Sequence, residues 1–397
     1  MFFRLNKQAD PVNPVAFFPG GGRFGYISVR FAQAVEQAAG TSLSHLFPGG
    51  VIGSSVGSIT ASVVATDTMS LREYGNTFLQ KLPYYMSFEE GFYKKQIRQD
   101  GAKIFARMFN SVFKKARAEM DDNAEGAVTY HLDRKYMKSD LLHQFGELKM
   151  SDAHIPFFIT SQKISPGPQT PYDFYHVNEA LLKQDRRFFA QDDNPTANVP
   201  IRDAIMAATA MQTVFPSYEV EETGTHHIDV CQMDSGLSQV DKLKQSLKNG
   251  YDMAVVQFDH FLENFEVNPN AYNRNGVLMS LFNKSLTDFS SFQARLQNRE
   301  GLRVRLGDNF HLLEVDRQDL EDLSFNTEIL DTSPLQIQEM RKSMDDYIER
   351  RQSDMIDPVV DFLVENRAKL DARHKNYQMP DFIKAMADRA GGMAFKK

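Results

Sequence analysis

The sequence predicts an α/β protein whose working site lies at the carboxyl ends of the strands of its sheet. Three observations predict it. Two strand–loop–helix units follow one another before residue 70, and both loops are rich in glycine. Short apolar runs at 154–162 and 251–258 have the length and composition of buried strands. The composition, 42% hydrophobic and 24% charged, is that of an ordinary globular chain.

At 397 residues the chain is long enough for two or three units, one of them with a substantial core. A formal net charge of −7 argues against nucleic acid as the main ligand, because a phosphate-binding surface needs clustered cations. The single cysteine, Cys231, rules out an intrachain disulfide and any CxxC or zinc-knuckle spacing, which suits a reducing compartment. The start, Met1-Phe-Phe-Arg-Leu-Asn-Lys-Gln, lacks the apolar core of a secretory signal. No stretch approaches the roughly 18 uncharged apolar residues of a membrane span. The expectation is a cytoplasmic protein, with peripheral membrane contact and delivery into another cell left open. With 31 Phe, 18 Met and no Trp, the apolar content suits both a core and a pocket for flexible apolar ligands.

The first unit begins at Val15-Ala16-Phe17-Phe18, an apolar run stopped by Pro19. It enters Gly20-Gly21-Gly22-Arg23-Phe24-Gly25, and helical spacing follows over 26–39, with Ile27, Phe31, Ala34, Val35 and Ala38 on one side. Successive glycines let backbone N–H groups converge on an anion, either a phosphate or a transient oxyanion. The loop is not a Walker A motif, since no Gly-Lys-Ser/Thr follows, and its glycine spacing is wrong for a dinucleotide fingerprint. A flexible turn at a strand end would read the same way.

The second unit is Val51-Ile52, a glycine-serine turn, and an apolar helix carrying Ile59, Val63 and Val64. Gly53-Ser54-Ser55-Val56-Gly57 fits G-x-S-x-G, the pattern of a nucleophile elbow with Ser55 at its centre. A serine held on a sharp strand-to-helix turn needs neighbours two residues away with almost no side chain, and Gly53 and Gly57 meet that need. The helix that follows aims its N-terminal amides at the point where an oxyanion would develop. A Gly/Ser turn between strand and helix needs no catalytic role, so these five positions alone decide nothing.

Residues 68–150 read as mostly helical. Within them Ile104, Phe105, Met108, Phe109, Val112 and Phe113 share a face opposite Lys103, Arg107 and Lys114. A membrane-surface helix looks like this, but a core-packed helix with a solvated basic face looks the same and is the preferred reading. His154 to Gln162 reads as a buried strand, and the run from Tyr172 as its hairpin partner. Residues 201–212 form a small-residue helix that ends before Val214-Phe215-Pro216. Next comes His226-His-Ile-Asp-Val-Cys-Gln-Met-Asp-Ser-Gly, in which Asp234 closes a strand-like run. His227, Asp229 and Cys231 share one face of that run, superficially a zinc spacing, with His226 beside them. Ordinary alternation gives the same pattern, and no metal is expected there. From about residue 262 the chain turns charged and amphipathic, with helices over 278–296 and 334–370 and an extended stretch over 302–315 between them.

Taken in order, these pieces resemble the patatin-like phospholipases. That family runs from a strand into a GGGx(R/K)G loop, then to G-x-S-x-G, an Ala/Ser-rich helix ending in Phe-Pro, and DG(G/A). The counterparts here are Gly20 to Gly25, Gly53 to Gly57, Ala204 to Pro216, and Asp234-Ser235-Gly236. Against the pattern, Arg23 and Phe24 fill the fourth and fifth loop positions, Ser235 replaces a glycine, and Gln239, Val240 and Asp241 stand where Asn and Pro are usual. The resemblance implies a three-layer α/β/α fold with a mostly parallel central sheet over 12–260. Residues 261–397 would then be a mainly helical extension serving as a lid, a regulatory element or an oligomerisation element. It also implies cleavage of fatty-acyl esters of phospholipids or related lipids through a Ser–Asp dyad. Ser55 would be the nucleophile, Asp234 the base, and the amides of Gly21, Gly22 and Arg23 the oxyanion hole. No cofactor is implied; an activator or a homo-oligomer is left open.

Two alternatives stand beside it. One is an α/β-hydrolase with a Ser–His–Asp triad, drawing its histidine from His260, His311 or His374. The other is an inactive or signal-gated module that binds lipid or a protein partner without turnover.

Overall fold

The protein is described here from a computed structural model covering residues 10–77, 134–164, 171–177, 196–210, 215, 217–229, 236–246, 251–260, 289–315 and 334–377. The apolar run before the glycine loop is a fully buried strand, β1 (Asn13–Phe18). A single 3₁₀ turn (Gly22–Phe24) leads into α1 (Gly25–Ala39), which ends on Gly40 at φ 64°, where a residue with no Cβ is least strained. After the short α2 (Leu43–Leu46) come β2 (Gly50–Ser54) and α3 (Gly57–Thr66), both buried along their whole length. A helix also spans residues 71–77, while the cationic amphipathic segment around 103–114 lies outside the described residues.

The chain continues through α4 (Lys135–Phe145), β3 (Phe157–Lys163) and β4 (Pro171–His176), the last two pairing antiparallel as the expected hairpin. Then follow α5 (Ile201–Ala208), β5 (Tyr218–Val220), β6 (Thr225–Ile228), α6 (Leu237–Ser246) and β7 (Met253–Phe258). The C-terminal part supplies α7 (Phe289–Leu306), β8 (Phe310–Leu313), α8 (Pro334–Arg350) and α9 (Asp357–Tyr377).

The strands form one sheet in the order β5-β6-β3-β2-β1-β7-β8, with β4 beside β3. From β3 through β8 the neighbours run parallel, and β4, β5 and β6 add antiparallel pairings at the other end. Alternation along β1 explains the layers. Ala16 and Phe18 join Val51, Phe157 and Phe258 in a large core beneath α1, α3, α5, α8 and α9. Val15 and Phe17 join Ile52, Phe158 and Val255 on the other face, under Val240 and Leu243 of α6 and Leu302 of α7. The result is the three-layer α/β/α arrangement, with the mostly parallel sheet in the middle. Phe18 and Phe258 stack at 4.8 Å between centroids, and burying each such ring contributes about 1.5–3 kcal/mol.

Two C-terminal expectations change. Of the stretch 302–315, Leu302–Leu306 is helical and only Phe310–Leu313 is extended, because Gly307 at φ 55° ends α7. The single helix expected over 334–370 is two, joined by a π-helical turn at Gln352–Ile356. Pro358 lacks the N–H that would bond the Asp354 carbonyl, so the ladder cannot run through. Met340, Met344, Tyr347, Ile356, Val359 and Leu363 of this region belong to the same core as β1 and α1. Among the described residues, no helix is long and apolar enough to cross a membrane.

Candidate active site

The turn between β2 and α3 is set by crowding. An added Cβ on Gly53 would lie 2.6 Å from the Gly57 carbonyl oxygen and 2.7 Å from the Ala61 Cβ. One on Gly57 would lie 2.1 Å from the Phe18 carbonyl oxygen. Both distances are far inside van der Waals contact, so these two positions admit glycine alone. Between them Ser55 sits at φ 48°; among described non-glycine residues only Asp67 shares a positive φ. A left-handed serine costs about 1–2 kcal/mol, which the surrounding packing must hold in place. The Ser55 carbonyl accepts from the Ser58 N–H at 3.0 Å and the Ser58 hydroxyl at 2.5 Å, locking the first turn of α3. Ser55 is only 8% exposed.

The glycine loop leans directly on this serine. A Cβ on Gly20 would meet the Ser55 Cβ at 2.6 Å and its Oγ at 3.4 Å, so the loop backbone lies against the serine side chain. The Gly20 N–H donates to the Ser54 Oγ at 3.0 Å. Gly21, Gly22 and Arg23 follow; Gly22 takes φ 56°, Arg23 is the middle residue of the 3₁₀ turn, and the Phe24 N–H returns to the Gly21 carbonyl at 3.1 Å. Gly25 packs on Val56, where a Cβ would fall 2.5 Å from Cγ1. Loop and elbow are therefore one packed unit.

Asp234 lies outside the described residues, as do Ser235 and Cys231. Gly236, two positions beyond Asp234, is described: it takes φ 114°, and a Cβ there would lie 2.9 Å from Cε1 of Phe17 on β1. Its N–H donates to the Gln239 Oε1 at 2.5 Å.

The structure brings to the site His260, one of the three late histidines offered for a triad, and sets apart Asp173, which the sequence reading did not single out. His260, just beyond β7, presses its ring on Gly21, where a Cβ would fall 1.7 Å from Nε2, and it stacks on Phe24 at 6.1 Å. Its backbone N–H and the Gln257 amide both donate to Asp259, at 2.8 and 2.6 Å. Asp173 is a buried carboxylate on β4. The visible signal for it was a lone acid in an aromatic strand, Tyr172-Asp-Phe-Tyr. Of the other late histidines, His311 packs on Phe362 at 4.3 Å, and burial lowers its pKa. His374 falls in the last turns of α9.

The histidine–aspartate stretch holds its polar atoms in other ways. His227 is fully buried, and its ring nitrogens pair with the Ser161 Oγ at 3.0 Å and the Thr225 Oγ1 at 2.6 Å. Burial first, then Lys163 and His226, push its pKa down to about 4. Both nitrogens are thus committed to hydroxyls, and no cluster of metal-ligating side chains occurs among the described residues. Nearby, Arg134 lies buried over the Phe215 ring at 4.9 Å and donates to the Met206 carbonyl at 2.7 Å and to the Thr209 Oγ1. Burial pushes its pKa down to about 10, opposed by Tyr218 and Asp229. The guanidinium closes the C-terminal end of α5, where the helix dipole favours a cation.

Comparison with known sequences gives the family. The profile described as Patatin-like phospholipase matches residues 17–240, more than half of the 397-residue chain. The chain belongs to the patatin-like phospholipases. Membership in a family that acts on lipid substrates supports lipid hydrolysis as the activity. Among solved structures, this patatin-like chain is similar to VipD from Legionella pneumophila, at 12% identity and TM-score 0.31, covering 85% of this chain and 68% of that one. It is also similar to the type III effector protein ExoU, at 13% identity and TM-score 0.32, covering 90% of this chain and 54% of that one. No curated protein matches it.

Proposed function

We propose that the chain is a serine acyl hydrolase that cleaves fatty-acyl esters of phospholipids or related lipids through Ser55 and Asp234. The observation that carries this reading is the contact of Gly20 with the side chain of a left-handed Ser55, which places the glycine loop and the elbow serine side by side. In the reaction the Ser55 Oγ attacks the ester carbonyl while its proton passes to the Asp234 carboxylate. The carbonyl π electrons move onto oxygen, where the amides of Gly21, Gly22 and Arg23 and the N-terminus of α3 receive the charge. Collapse expels the lipid alcohol, which takes the proton from Asp234 and leaves an acyl-enzyme. Water then attacks the acyl carbon, gives its proton to Asp234, and the fatty acid leaves as the Ser55 Oγ recovers that proton.

Aspartate in water, with a pKa of about 3.9, is a weak base; a carboxylate in an apolar cleft is a stronger one. Each preorganised donor to the oxyanion contributes roughly 3–4 kcal/mol. The extension beyond 260 adds a strand and three helices to the packed fold, and activation or membrane docking would act through that region or the cationic segment around 103–114.

Two linked measurements test the proposal. Lipid analysis of phospholipid vesicles exposed to wild type and to Ser55→Ala should show free fatty acid only with wild type. A fluorophosphonate probe should label wild type and spare Ser55→Ala. Equal labelling of both means that the nucleophile is elsewhere. Vesicle binding without turnover, identical in both proteins, would replace hydrolysis by a binding module.

A further inference from the structure

A row of polar side chains crosses three neighbouring strands at the carboxyl end of the sheet. Ser54 of β2 is in register with Thr160 of β3, and Thr160 with Asp173 of β4, so the three project from one face. Ile52, Phe158 and Tyr175 share that face and pack with Val240 and Leu243 of α6, while Gln162 and Gln257 are further buried polar residues on it. All three polar residues are buried. A carboxylate placed there loses its hydration, and only its hydrogen bonds can return that loss. Asp173 has three such bonds. Its Oδ1 accepts from the Thr160 Oγ1 at 2.9 Å and from the Gln239 Nε2 at 2.8 Å, and its Oδ2 accepts from the Lys242 Nζ.

Both ends of the row finish on the backbone of a loop at the candidate site. At one end the Ser54 Oγ takes the N–H of Gly20, the residue pressed against Ser55. At the other end, Gln239 spans between Asp173 and the N–H of Gly236. Gly236 closes the Asp234-Ser235-Gly236 triplet. Nothing in the packing of Ile52, Phe158 and Tyr175 requires an acid at 173; what the carboxylate adds is its bonds to Thr160, Gln239 and Lys242.

We propose that Asp173, acting through Gln239, is a positioning residue for Gly236, the last residue of the triplet that holds Asp234, as Ser54 is for the glycine loop. This rests on the Ser55–Asp234 reading. The Gln239 amide serves both partners at once: Nε2 donates to the carboxylate and Oε1 accepts from the Gly236 N–H. Lys242, one turn further along α6, balances the charge and fixes which face of the helix meets β4.

The test uses the full chain with Gln239→Leu, Asp173→Asn, their double variant and Lys242→Met, whose side chain is 48% exposed in the parent and which should fold. End-point fluorophosphonate labelling counts competent sites; kcat per labelled site, KM on a fatty-acyl ester, the labelling rate and the melting temperature complete the set. Gln239→Leu and Asp173→Asn should each lower kcat per labelled site and the labelling rate about 10- to 100-fold. KM should stay within about threefold, and the double variant should be no worse than the poorer single one. Lys242→Met should fall less, and it decides with Gln239→Leu if Asp173→Asn does not fold. A purely structural role lowers the melting temperature and the number of labelled sites but leaves kcat per site at the wild-type value; that result overturns the proposal. Ser55→Ala and Asp234→Asn are run alongside. If these two lose turnover while the Asp173 and Gln239 variants keep it, the dyad stands and the positioning role falls. If Asp234→Asn keeps turnover, the dyad reading fails and the positioning role fails with it.

Discussion

Replacing Gly57 by alanine tests whether loop and elbow work as one packed unit. The new Cβ would sit 2.1 Å from the Phe18 carbonyl oxygen, 2.6 Å from the Phe18 carbonyl carbon and 2.7 Å from the Pro19 carbonyl oxygen, all of them backbone. Ordinary contact begins near 3.4 Å, so a gap of more than 1 Å must open between α3 and the end of β1. Helix α3 is buried on every side and has no room to retreat. The yielding part is the Pro19–Gly20 backbone, which lies against Ser55 and leads into the proposed oxyanion amides. A misplacement of about 1 Å there should cost about 100-fold in turnover. Forcing a methyl into packed backbone should also cost about 1–3 kcal/mol of stability. The assay is kcat on a fatty-acyl ester per fluorophosphonate-labelled site, read with the melting temperature. Gly40→Ala is the control: its φ is 64° but nothing lies within 4 Å of the added atom, so it should lose about 1 kcal/mol and no turnover. A folded Gly57→Ala enzyme within about threefold of wild type would refute the reasoning, as would an equal loss in Gly40→Ala.

Three further outcomes follow from other parts of the molecule. Gly21→Ala drives a methyl into the His260 ring, 1.7 Å from Nε2, and should lower kcat while Gly40→Ala does not; paired His260→Ala should restore part of it, measured on the same ester. Asn366 of α9 accepts from the Val12 N–H at 2.9 Å and donates to the Val12 carbonyl at 2.8 Å, so Asn366→Ala should cost about 1–3 kcal/mol in urea unfolding and leave kcat per labelled site unchanged. His227, held neutral with its pKa depressed from 6.5 to about 4, contributes stability that is present above pH 6.5 and is lost as pH falls toward 4. Unfolding free energy in that window should drop by up to about 1.4 kcal/mol per pH unit from this residue, and His227→Gln should flatten the slope.

The elements that could be read from sequence are those whose signal is local. Phe17-Phe18 stopped by Pro19, the glycines around Ser55 and the alanines of α5 each announce a strand end, a turn or a helix through their own backbone chemistry. Gly53 and Gly57 were legible as small neighbours of a serine; that Gly57 answers to the Phe18 carbonyl, 39 positions back in the chain, was not. The same limit hid Asp173, because a lone acid in an aromatic strand looks solvated until Gln239 and Lys242 arrive from α6. His227 shows the converse: its spacing with Asp229 invited a metal, and only the hydroxyls of Ser161 and Thr225, contributed from two strands, show its nitrogens already committed. Pro358 was in plain view, yet an amphipathic pattern that continues on both sides of it masks a break in the helix.

The family match ends at 240, but the physical unit does not. If the fold stopped there, β1 would lose β7, its parallel neighbour, and Phe18 would lose the Phe258 ring stacked on it at 4.8 Å. The inner face of α1 would lose Tyr347, whose ring meets Phe31 edge-on at 6.3 Å. Asn366 ties α9 to the residue just before β1, so the last helix holds the first strand. That strand ends in the glycine loop. Helices α8 and α9 thus share one core with α1 and β1, the strand that leads into Gly20 and lies beside β2 and the elbow.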